Sequence, residues 1–274
     1  MLLDGKKAQK FLTQKSIQGI NLQPTLAAIQ IGHNLSSKKY LKFKRIFLTK
    51  LGFSFNLINL STKIKEHELI EIINKLNFDE STNGIIVQLP IPDHLNKQRI
   101  LDRIIPEKDV DCLDSYSIGR FLTDNSKIYP ATPKGIIHLL KYYKIELTSK
   151  HVCVIGRSNL VGKPLSIALL KENATVTICH SHTNNLEEIT KDADIVISAI
   201  GKAKFLTSKY FRKGQTVIDV GINFDENGKI CGDVDFDNVK DIVENITPVP
   251  GGVGPMTIWG LVDNLIELTK LQND

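Results

Sequence analysis

Residues 156–164, GRSNLVGKP, combine two glycines with a lysine, and these residue types bind phosphate groups in many proteins. A loop that binds ATP needs four residues between its glycines and a serine or threonine after the lysine. Here five residues separate Gly156 from Gly162, and Pro164 follows Lys163. Because both requirements fail, we do not predict a nucleoside triphosphate site.

The surroundings of this loop favour a dinucleotide instead. An apolar strand at residues 151–156 leads into the loop, and a helix leaves it near Pro164. Backbone N–H groups at such a helix start face a pyrophosphate. Ser158 occupies the second glycine position of the usual G-x-G-x-x-G pattern. The motif alone therefore leaves open a turn that needs glycine only for its backbone angles.

The end of the next strand distinguishes the two common dinucleotides. NAD sites carry Asp or Glu there to bind the ribose hydroxyls, whereas NADP sites accommodate a 2′-phosphate. Residues 179–183 read Cys-His-Ser-His-Thr, without a carboxylate, and Arg157 lies in the glycine loop. These groups suit a phosphate, so we predict NADP. The same cluster is an alternative set of metal ligands, which the lack of a matching second pair disfavours.

Two side chains with acid–base capacity lie four residues apart in a predicted helix. Ser36 or Ser37 is expected to cap this helix, and Tyr40 and Lys44 then project from one face. A lysine acts as a base only where burial or a nearby cation lowers its pKa. The alternative is an exposed tyrosine and lysine on a solvated face.

Further polar residues follow a predicted strand, where α/β sheets bind ligands. Gln88 lies at the carboxyl end of the apolar stretch GIIVQL. Asp109, Asp111 and Asp114 share the next loop, and such acids form a metal site, a hydrogen-bonding anchor or a solvated surface. Residues 247–257, TPVPGGVGPMT, carry few large side chains, which lets a flat ligand approach the backbone closely.

The elements that position these residues alternate between helix and strand, which indicates an α/β fold with mostly parallel sheets. Strands are predicted at residues 25–31, 53–58, 84–89, 151–156, 174–179, 193–201 and 215–221. Helices are predicted at residues 5–18, 36–51, 66–76 and 256–272. We expect the last helix to pack back on the first domain.

Composition excludes several classes of protein. With 42% hydrophobic and 24% charged residues, the 274-residue chain is typical of a globular protein. The net charge of +5 comes without a Lys/Arg block, so nucleic-acid binding is not predicted, and no stretch approaches a membrane span. The four cysteines form no CxxC pair, which favours reduced thiols. The N-terminus does not read as a secretory signal, so a cytoplasmic protein is expected.

Nine motifs occur along the chain in the order of one known family. They are LLDGK, YLKFK, GIIVQLPIP, PEKDVD, PATPKGI, VIGRSNLVGKP, TVTICHSHT, VIDVGIN and TPVPGGVGPMT. The chain resembles the bifunctional methylenetetrahydrofolate dehydrogenase/cyclohydrolase family over essentially its whole length, and the conjunction of motifs is far more specific than any one of them.

The resemblance implies roles for individual residues. Lys44 matches the catalytic lysine, Gln88 its partner, Tyr40 a catalytic-site tyrosine near the pterin, and Asp111 the anchor of the pterin's amino edge. Further substrate-binding positions are Val87, Leu89, Pro250, Gly251, Gly252, Val253 and Gly254. Cofactor-binding positions are Gly156, Arg157, Ser158, Ser181 and Ile222. The resemblance further implies that the protein uses NADP as cofactor, acts on a folate substrate, needs no metal and forms a homodimer.

The resemblance also implies two domains. Residues 1–132 and 255–274 are expected to form an N-terminal α/β catalytic domain, and residues 133–254 a Rossmann-type NADP-binding domain. Two alternatives stay open: an NADP oxidoreductase of amino-acid-dehydrogenase type, and a non-catalytic NADP-binding protein. The first would not require Tyr40, Lys44 and Gln88 to converge.

Two residues depart from the family's pattern. Cys112 follows Asp111 where glycine is usual, and Ala131 precedes Thr132 where cysteine is common. The first is expected to affect the backbone beside the pterin anchor. No consequence is expected from the second.

Overall fold

The structure, a computed structural model, describes residues 1–19, 21–123 and 126–273. It contains two compact units, residues 1–15 with 132–260 and residues 16–131 with 261–274. We name them the five-stranded unit and the three-stranded unit after their parallel sheets.

Helices and strands alternate along the chain, which confirms the predicted α/β class. The strands are β1 (Thr25–Ile31), β2 (Ser54–Leu60), β3 (Gly84–Val87), β4 (His151–Ile155), β5 (Thr175–Cys179), β6 (Ile195–Ser198), β7 (Thr216–Asp219), β8 (Asn223–Phe224), β9 (Ile230–Cys231) and β10 (Asn245–Ile246). The helices are α1 (Gly5–Ile17), α2 (Leu35–Lys50), α3 (Glu66–Phe78), α4 (Lys97–Leu101), α5 (Ser115–Thr123), α6 (Ala131–Tyr142), α7 (Gly162–Lys171), α8 (Leu186–Asp192), α9 (Phe236–Val239) and α10 (Val253–Asn273).

The sheet of the three-stranded unit has the order β2–β1–β3 with parallel pairing. The central strand β1 is almost entirely buried, which explains its continuous apolar sequence. Part of α10 packs in this unit, because an added Cβ on Gly84 would lie 2.7 Å from a methyl of Leu265. Asn264 donates to the carbonyls of Val110 and Tyr129 at 2.8 and 2.9 Å. The C-terminal helix therefore returns to the first part of the chain, as predicted.

Helix α2 begins differently from the prediction. Its N-cap is Asn34, whose side chain accepts a hydrogen bond from the backbone N–H of Ser37 at 3.0 Å. Neither Ser36 nor Ser37 is the cap, because the helix begins before them, at Leu35. Asparagine and serine cap helices about equally well, so composition alone does not separate the three candidates.

The sheet of the five-stranded unit has the order β10–β7–β6–β4–β5 with parallel pairing. Strand β4 is the first strand of this sheet along the chain. It pairs with β5 on one side and with β6 on the other, and β7 follows β6. Such a reversal of strand order creates the crevice in which open α/β sheets bind ligands. The arrangement is the Rossmann-type organisation predicted for the second half.

The N-terminal residues belong to the five-stranded unit. The backbone N–H of Leu3 donates to Ile246 at 2.8 Å, and that of Gly5 donates to Gly251 at 2.9 Å. The bounds of the compact units thus differ from those of the expected domains, since long-range backbone hydrogen bonds hold residues 1–15 beside β10. The functional division between folate and NADP domains stays a prediction. No helix in the described part of the chain is long and apolar enough to cross a membrane.

Candidate active site

Lys44 and Gln88 form a buried pair in the three-stranded unit. Lys44 lies on α2 and is only 5% exposed, and its Nζ donates to Gln88 Oε1 at 3.3 Å. Gln88 follows β3, and its Nε2 donates to the Leu89 carbonyl at 2.9 Å, which directs its oxygen towards the lysine. The amine is thus held by a neutral acceptor, which orients it without strongly favouring its charged form.

Burial and charge act in opposite directions on this lysine. Burial, the larger effect, lowers the pKa of Lys44, while the negative charge of Asp111 raises it. The net shift is downward, because removing an ammonium from water penalises its charged form. Lys44 therefore fulfils the condition that a lysine must meet to act as a base.

Tyr40 precedes Lys44 by one turn of α2 and is half-buried. Burial raises the pKa of Tyr40 to about 12. Its hydroxyl therefore keeps its proton at physiological pH and acts as a hydrogen-bond donor rather than as a base. The aromatic ring and a protonated hydroxyl suit the face and edge of a pterin.

The three acids of the loop before α5 have separate roles. Asp109 Oδ2 accepts from the backbone N–H groups of Leu113 and Asp114 at 2.6 and 2.9 Å. Burial is the main cause that raises the pKa of Asp109 well above its usual value, and a hydrogen bond to the Asp114 carboxyl adds to it. Asp114 Oδ1 caps α5. Asp109 and Asp114 therefore serve the loop itself, and half-buried Asp111 is the acid that remains for a ligand.

The backbone of the same loop has a conformation at residue 112 that favours glycine. Cys112 has a φ of 54°, in the left-handed region that costs an ordinary residue roughly 1 kcal/mol or more. Its side chain is fully buried, and Sγ lies 3.9 Å from the Ile128 carbonyl oxygen. Buried packing offsets the backbone cost, so the cysteine is compatible with the left-handed turn beside Asp111.

The glycine loop of the five-stranded unit requires both of its glycines. Gly156 has a φ of 121°, and an added Cβ would lie 2.5 Å from the Ala199 carbonyl oxygen. An added Cβ on Gly162 would lie 2.1 Å from the Gly156 carbonyl oxygen. Lys163 Nζ donates to Asn159 Oδ1 at 2.8 Å within the same loop. The end of β4 and the start of α7 therefore lie so close together in this turn that neither glycine leaves room for a side chain.

The predicted phosphate-binding residues lie at neighbouring strand ends. The Gly156 N–H donates to the Cys179 carbonyl at 2.8 Å, which joins the loop to the end of β5. Arg157 and Ser181 are exposed there, and no carboxylate occurs in residues 179–183. Ser158 Oγ accepts from backbone N–H groups of its own loop at 3.1 and 3.4 Å. A bare backbone with an exposed guanidinium and hydroxyl fits a dinucleotide phosphate.

Other predicted positions differ in how much surface they offer. Ile222 follows β7 and is 45% exposed. Val87 is 3% exposed, Leu89 is half-buried and Val253 is 4% exposed. Pro250 is exposed, Gly251 and Gly254 are half-buried and Gly252 is buried. The side chains of Val87 and Val253 therefore offer almost no surface to a ligand.

Two acids that the sequence predictions did not include are buried in the five-stranded unit. Asp219 ends β7 and Asp233 follows β9, and both carboxylates accept several hydrogen bonds. The signal in the sequence is an acid close to a glycine, two positions before it in VIDVG and directly after it in CGDVD. Among the residues that the structure describes, no cluster of three or more His, Cys, Asp or Glu has metal-binding geometry.

Comparisons with known proteins agree with the fold and the motifs. The catalytic domain of tetrahydrofolate dehydrogenase/cyclohydrolase matches residues 3–111, and its NAD(P)-binding domain matches residues 130–273. The bifunctional protein FolD of Thermodesulfovibrio yellowstonii is 49% identical over 279 residues, covering 99% of this chain and 97% of the relative. The structure of the bifunctional FolD enzyme from Campylobacter jejuni is 42% identical, with a TM-score of 0.93 over 99% of both chains.

A second solved structure is informative about the cofactor. The FolD enzyme of Trypanosoma brucei, complexed with NADP and an inhibitor, is 33% identical with a TM-score of 0.92, covering 100% of this chain and 98% of the relative. The resemblance seen in the motifs is confirmed, and the chain belongs to the tetrahydrofolate dehydrogenase/cyclohydrolase family.

Proposed function

We propose that this chain catalyses both reactions of its family. The first is the NADP-dependent oxidation of 5,10-methylenetetrahydrofolate to 5,10-methenyltetrahydrofolate, and the second is hydrolysis of that product to 10-formyltetrahydrofolate. The buried pair of Lys44 and Gln88 carries the proposal, because a desolvated lysine held by a neutral amide is suited to proton transfer. An amino-acid dehydrogenase or a non-catalytic NADP-binding protein has no need of this pair.

The hydrolysis uses the neutral form of Lys44. Water attacks the methenyl carbon, which carries positive charge shared with its two nitrogens, and Lys44 Nζ takes the proton that the water loses. The added hydroxyl then loses its proton to solvent as its oxygen forms the formyl C=O bond. The bond from this carbon to N5 breaks in the same step, and N5 takes the proton that the lysine ammonium returns. Gln88 keeps the amine oriented through its 3.3 Å hydrogen bond. Lys44 ends the cycle neutral, and one proton is released to solvent for each cation hydrolysed.

The substrate is held by groups that do not take part in bond breaking. Asp111, as a carboxylate, accepts hydrogen bonds from the amino edge of the pterin. Tyr40 offers its ring face and a hydroxyl that keeps its proton, since its pKa is raised to about 12. These contacts fix the orientation of the one-carbon bridge, which contributes more to hydride transfer than proton transfer does.

The cofactor site proposed for the oxidation is the glycine loop with its neighbouring strand end. NADP, when bound, accepts the hydride from the one-carbon bridge. The backbone of Gly156 and Ser158 would bind the pyrophosphate, Arg157 and Ser181 the 2′-phosphate, and Ile222 would contact the remaining part of the dinucleotide. The steric closeness of Gly156 and Gly162 supports this assignment, because side chains there would fill the turn.

The activity is tested directly with the purified protein. It is expected to reduce NADP when methylenetetrahydrofolate is added, and to remove the absorbance of the methenyl compound when that compound is supplied alone. Absence of turnover with both NADP and NAD would overturn the proposed function.

The expected setting of the protein is the cytoplasm, since all four cysteines are buried thiols and reduced thiols are typical of that compartment.

Arg157→Ala is expected to raise the KM for NADP about 10-fold, because a charge-assisted hydrogen bond to the 2′-phosphate is lost. The KM for NAD, which lacks this phosphate, should change less than about 2-fold. Initial rates with each cofactor measure the effect. Lys163→Ala is the matched control, since its amine is held by Asn159 within the same loop. Equal effects of Arg157→Ala on both cofactors would exclude recognition of the 2′-phosphate.

We propose a homodimer that forms through the edge strand β5. Thr175 and Ile178 of this strand are exposed, and unpaired edges of this kind invite pairing with a second chain. The opposite edge of the sheet is covered, because Leu2 pairs with Ile246 of β10. Ile178→Lys is expected to weaken the dimer at least about 10-fold in sedimentation equilibrium, through the cost of burying a charge.

Phe78→Lys is the control for this variant, since Phe78 is 87% exposed and lies in the three-stranded unit. It should leave the dissociation constant unchanged. Sedimentation of the wild-type protein at its chain mass of 30.7 kDa at all concentrations would contradict the homodimer.

A further inference from the structure

Asp233 makes an unusual number of hydrogen bonds for a residue outside the proposed mechanism. Its Oδ2 accepts from the Ser198 hydroxyl and the Ile200 N–H, both at 2.9 Å. Its Oδ1 accepts from the Lys202 N–H at 2.9 Å and from Asn223 Nδ2 at 3.0 Å. The side chain is fully buried. One carboxylate thus joins the segment after β6 to the segment after β7.

Asp219 fixes the backbone segment after β9 that carries this carboxylate. Its Oδ1 accepts from the backbone N–H groups of Gly221 and Asp233 at 3.0 and 2.9 Å, and its Oδ2 accepts from Val234 at 2.9 Å. An added Cβ on Gly232 would lie 1.9 Å from Asp219 Oδ2. The two acids and the neighbouring glycine therefore form a closely packed unit that fixes where the Asp233 carboxylate lies.

Burial of the Asp219 carboxylate beside Asp233 has a desolvation cost. Burial is the main cause that raises the pKa of Asp219 to about 7, and the charge of Asp233 adds to this shift. An apolar cluster would avoid this cost. Asp219 at the carboxyl end of β7 and Asp233 beside the carboxyl end of β6 accept hydrogen bonds that apolar side chains could not accept.

The segments that Asp233 joins lie beside the glycine loop. Strand β6 is the neighbour of β4, and an added Cβ on Gly156 would lie 2.5 Å from the Ala199 carbonyl oxygen. In this fold the pyrophosphate lies at the glycine loop and the adenosine ribose towards the end of the next strand, here β5. The other half of the dinucleotide therefore extends across β6 and β7. Residues 200–202 and 221–223 flank that half.

We propose that Asp233 is a positioning residue for the nicotinamide half of NADP. It fixes the backbone of residues 200–202 and the segment around Ile222 against each other, so that both present one surface to the nicotinamide and its ribose. Asp233 acts through these segments rather than by contact with the reacting atoms. The proposal rests on the NADP site proposed above, and it adds a residue that none of the motifs assigned to cofactor binding contains.

Asp233→Asn tests the proposal without changing side-chain volume. Each oxygen of the carboxylate accepts from a backbone N–H, of Ile200 on one side and Lys202 on the other. Whichever way the amide is placed, its NH2 therefore faces a backbone donor, and one segment must move. A displacement of this kind is expected to lower the kcat for NADP reduction about 100-fold.

Two measurements separate positioning from a general structural role. The dissociation constant of adenosine 2′,5′-bisphosphate, which contains only the adenosine half of NADP, should change less than about 2-fold in Asp233→Asn. Hydrolysis of methenyltetrahydrofolate, supplied directly, should keep its rate, because Lys44 and Gln88 lie in the other unit. A variant that loses binding of the bisphosphate together with NADP reduction would overturn the proposal, since the whole unit would then be disturbed.

Asn223→Ala is the second variant, in case Asp233→Asn does not fold. It removes one of the four hydrogen bonds and leaves the carboxylate in place, so a kcat about 5-fold lower is expected. Asp237→Asn, an exposed acid on α9, is the matched control and should behave as wild type. Wild-type kcat in Asn223→Ala or Asp233→Asn would overturn this proposal alone. A wild-type protein that neither binds the bisphosphate nor reduces NADP would overturn the proposed cofactor site as well.

Discussion

Lys44→Met is expected to lower the rate of methenyltetrahydrofolate hydrolysis between about 100-fold and 10,000-fold, the usual contribution of a positioned general base. Methionine has a similar length and no charge, so it fills the buried space without leaving an unpaired amine. The fold should therefore be retained, with a melting temperature equal to or above that of the wild type. The rate is measured by the loss of methenyl absorbance, and the fold by circular dichroism.

The wild-type pH profile provides an independent check of the same role. Only the neutral amine accepts a proton, so the hydrolysis rate must rise as the pH rises through the pKa of Lys44. Burial lowers that pKa from its ordinary value of 10.5, so the midpoint of the rise should lie below 10.5. This rise should be absent from the residual activity of Lys44→Met. A profile with the same midpoint in both proteins would assign the titration to another group.

Lys42→Met is the control for the charge change, because Lys42 lies on the same helix and is exposed. It should leave both the rate and the pH profile unchanged. Full hydrolytic activity in Lys44→Met would refute the proposed base, and retained adenosine bisphosphate binding with lost hydrolysis would support it. Lys44 differs from Lys42 in its burial and in its hydrogen bond to Gln88.

Local rules explain which parts of the site were predictable from the sequence. Tyr40 and Lys44 have helical spacing, so their shared face follows from the geometry of one helix. The glycine loop follows from a strand, two glycines and a proline within a few residues. The apolar runs of β1 and β4 reflect burial on both sides of a parallel sheet, which also made the fold class predictable.

Contacts between residues far apart in the chain explain what was not predicted. Asp233 gains its role from Ser198 and Ile200, about 33 to 35 positions away, and no periodic pattern connects them. The grouping of residues 1–15 with the five-stranded unit rests on long-range backbone hydrogen bonds, such as those from Leu3 to Ile246 and from Gly5 to Gly251. The lowered pKa of Lys44 depends on its burial by distant parts of the chain. The sequence could therefore predict that a base needs a lowered pKa, but only the structure shows that Lys44 is buried.

Gly162→Ala is expected to raise the dissociation constant of NADP about 100-fold while hydrolysis of methenyltetrahydrofolate continues. The added Cβ would lie 2.1 Å from the Gly156 carbonyl oxygen and 2.9 Å from the Cα of Arg157. Both neighbours are backbone atoms, so relief requires the start of α7 to move away from the end of β4. Overpacking of this kind costs about 1–3 kcal/mol, and the displaced N–H groups no longer converge on a pyrophosphate.

The same chemical change elsewhere gives the control for Gly162→Ala. Gly119 lies within α5, and an added Cβ there meets no atom within 4 Å. Gly119→Ala should therefore bind NADP as the wild type does, and raise the melting temperature through the better helix propensity of alanine, worth about 1 kcal/mol. Fluorescence titration with NADPH measures both variants. Wild-type affinity in Gly162→Ala would mean that the pyrophosphate does not lie on this turn, because a turn displaced by a methyl group cannot present the same donors.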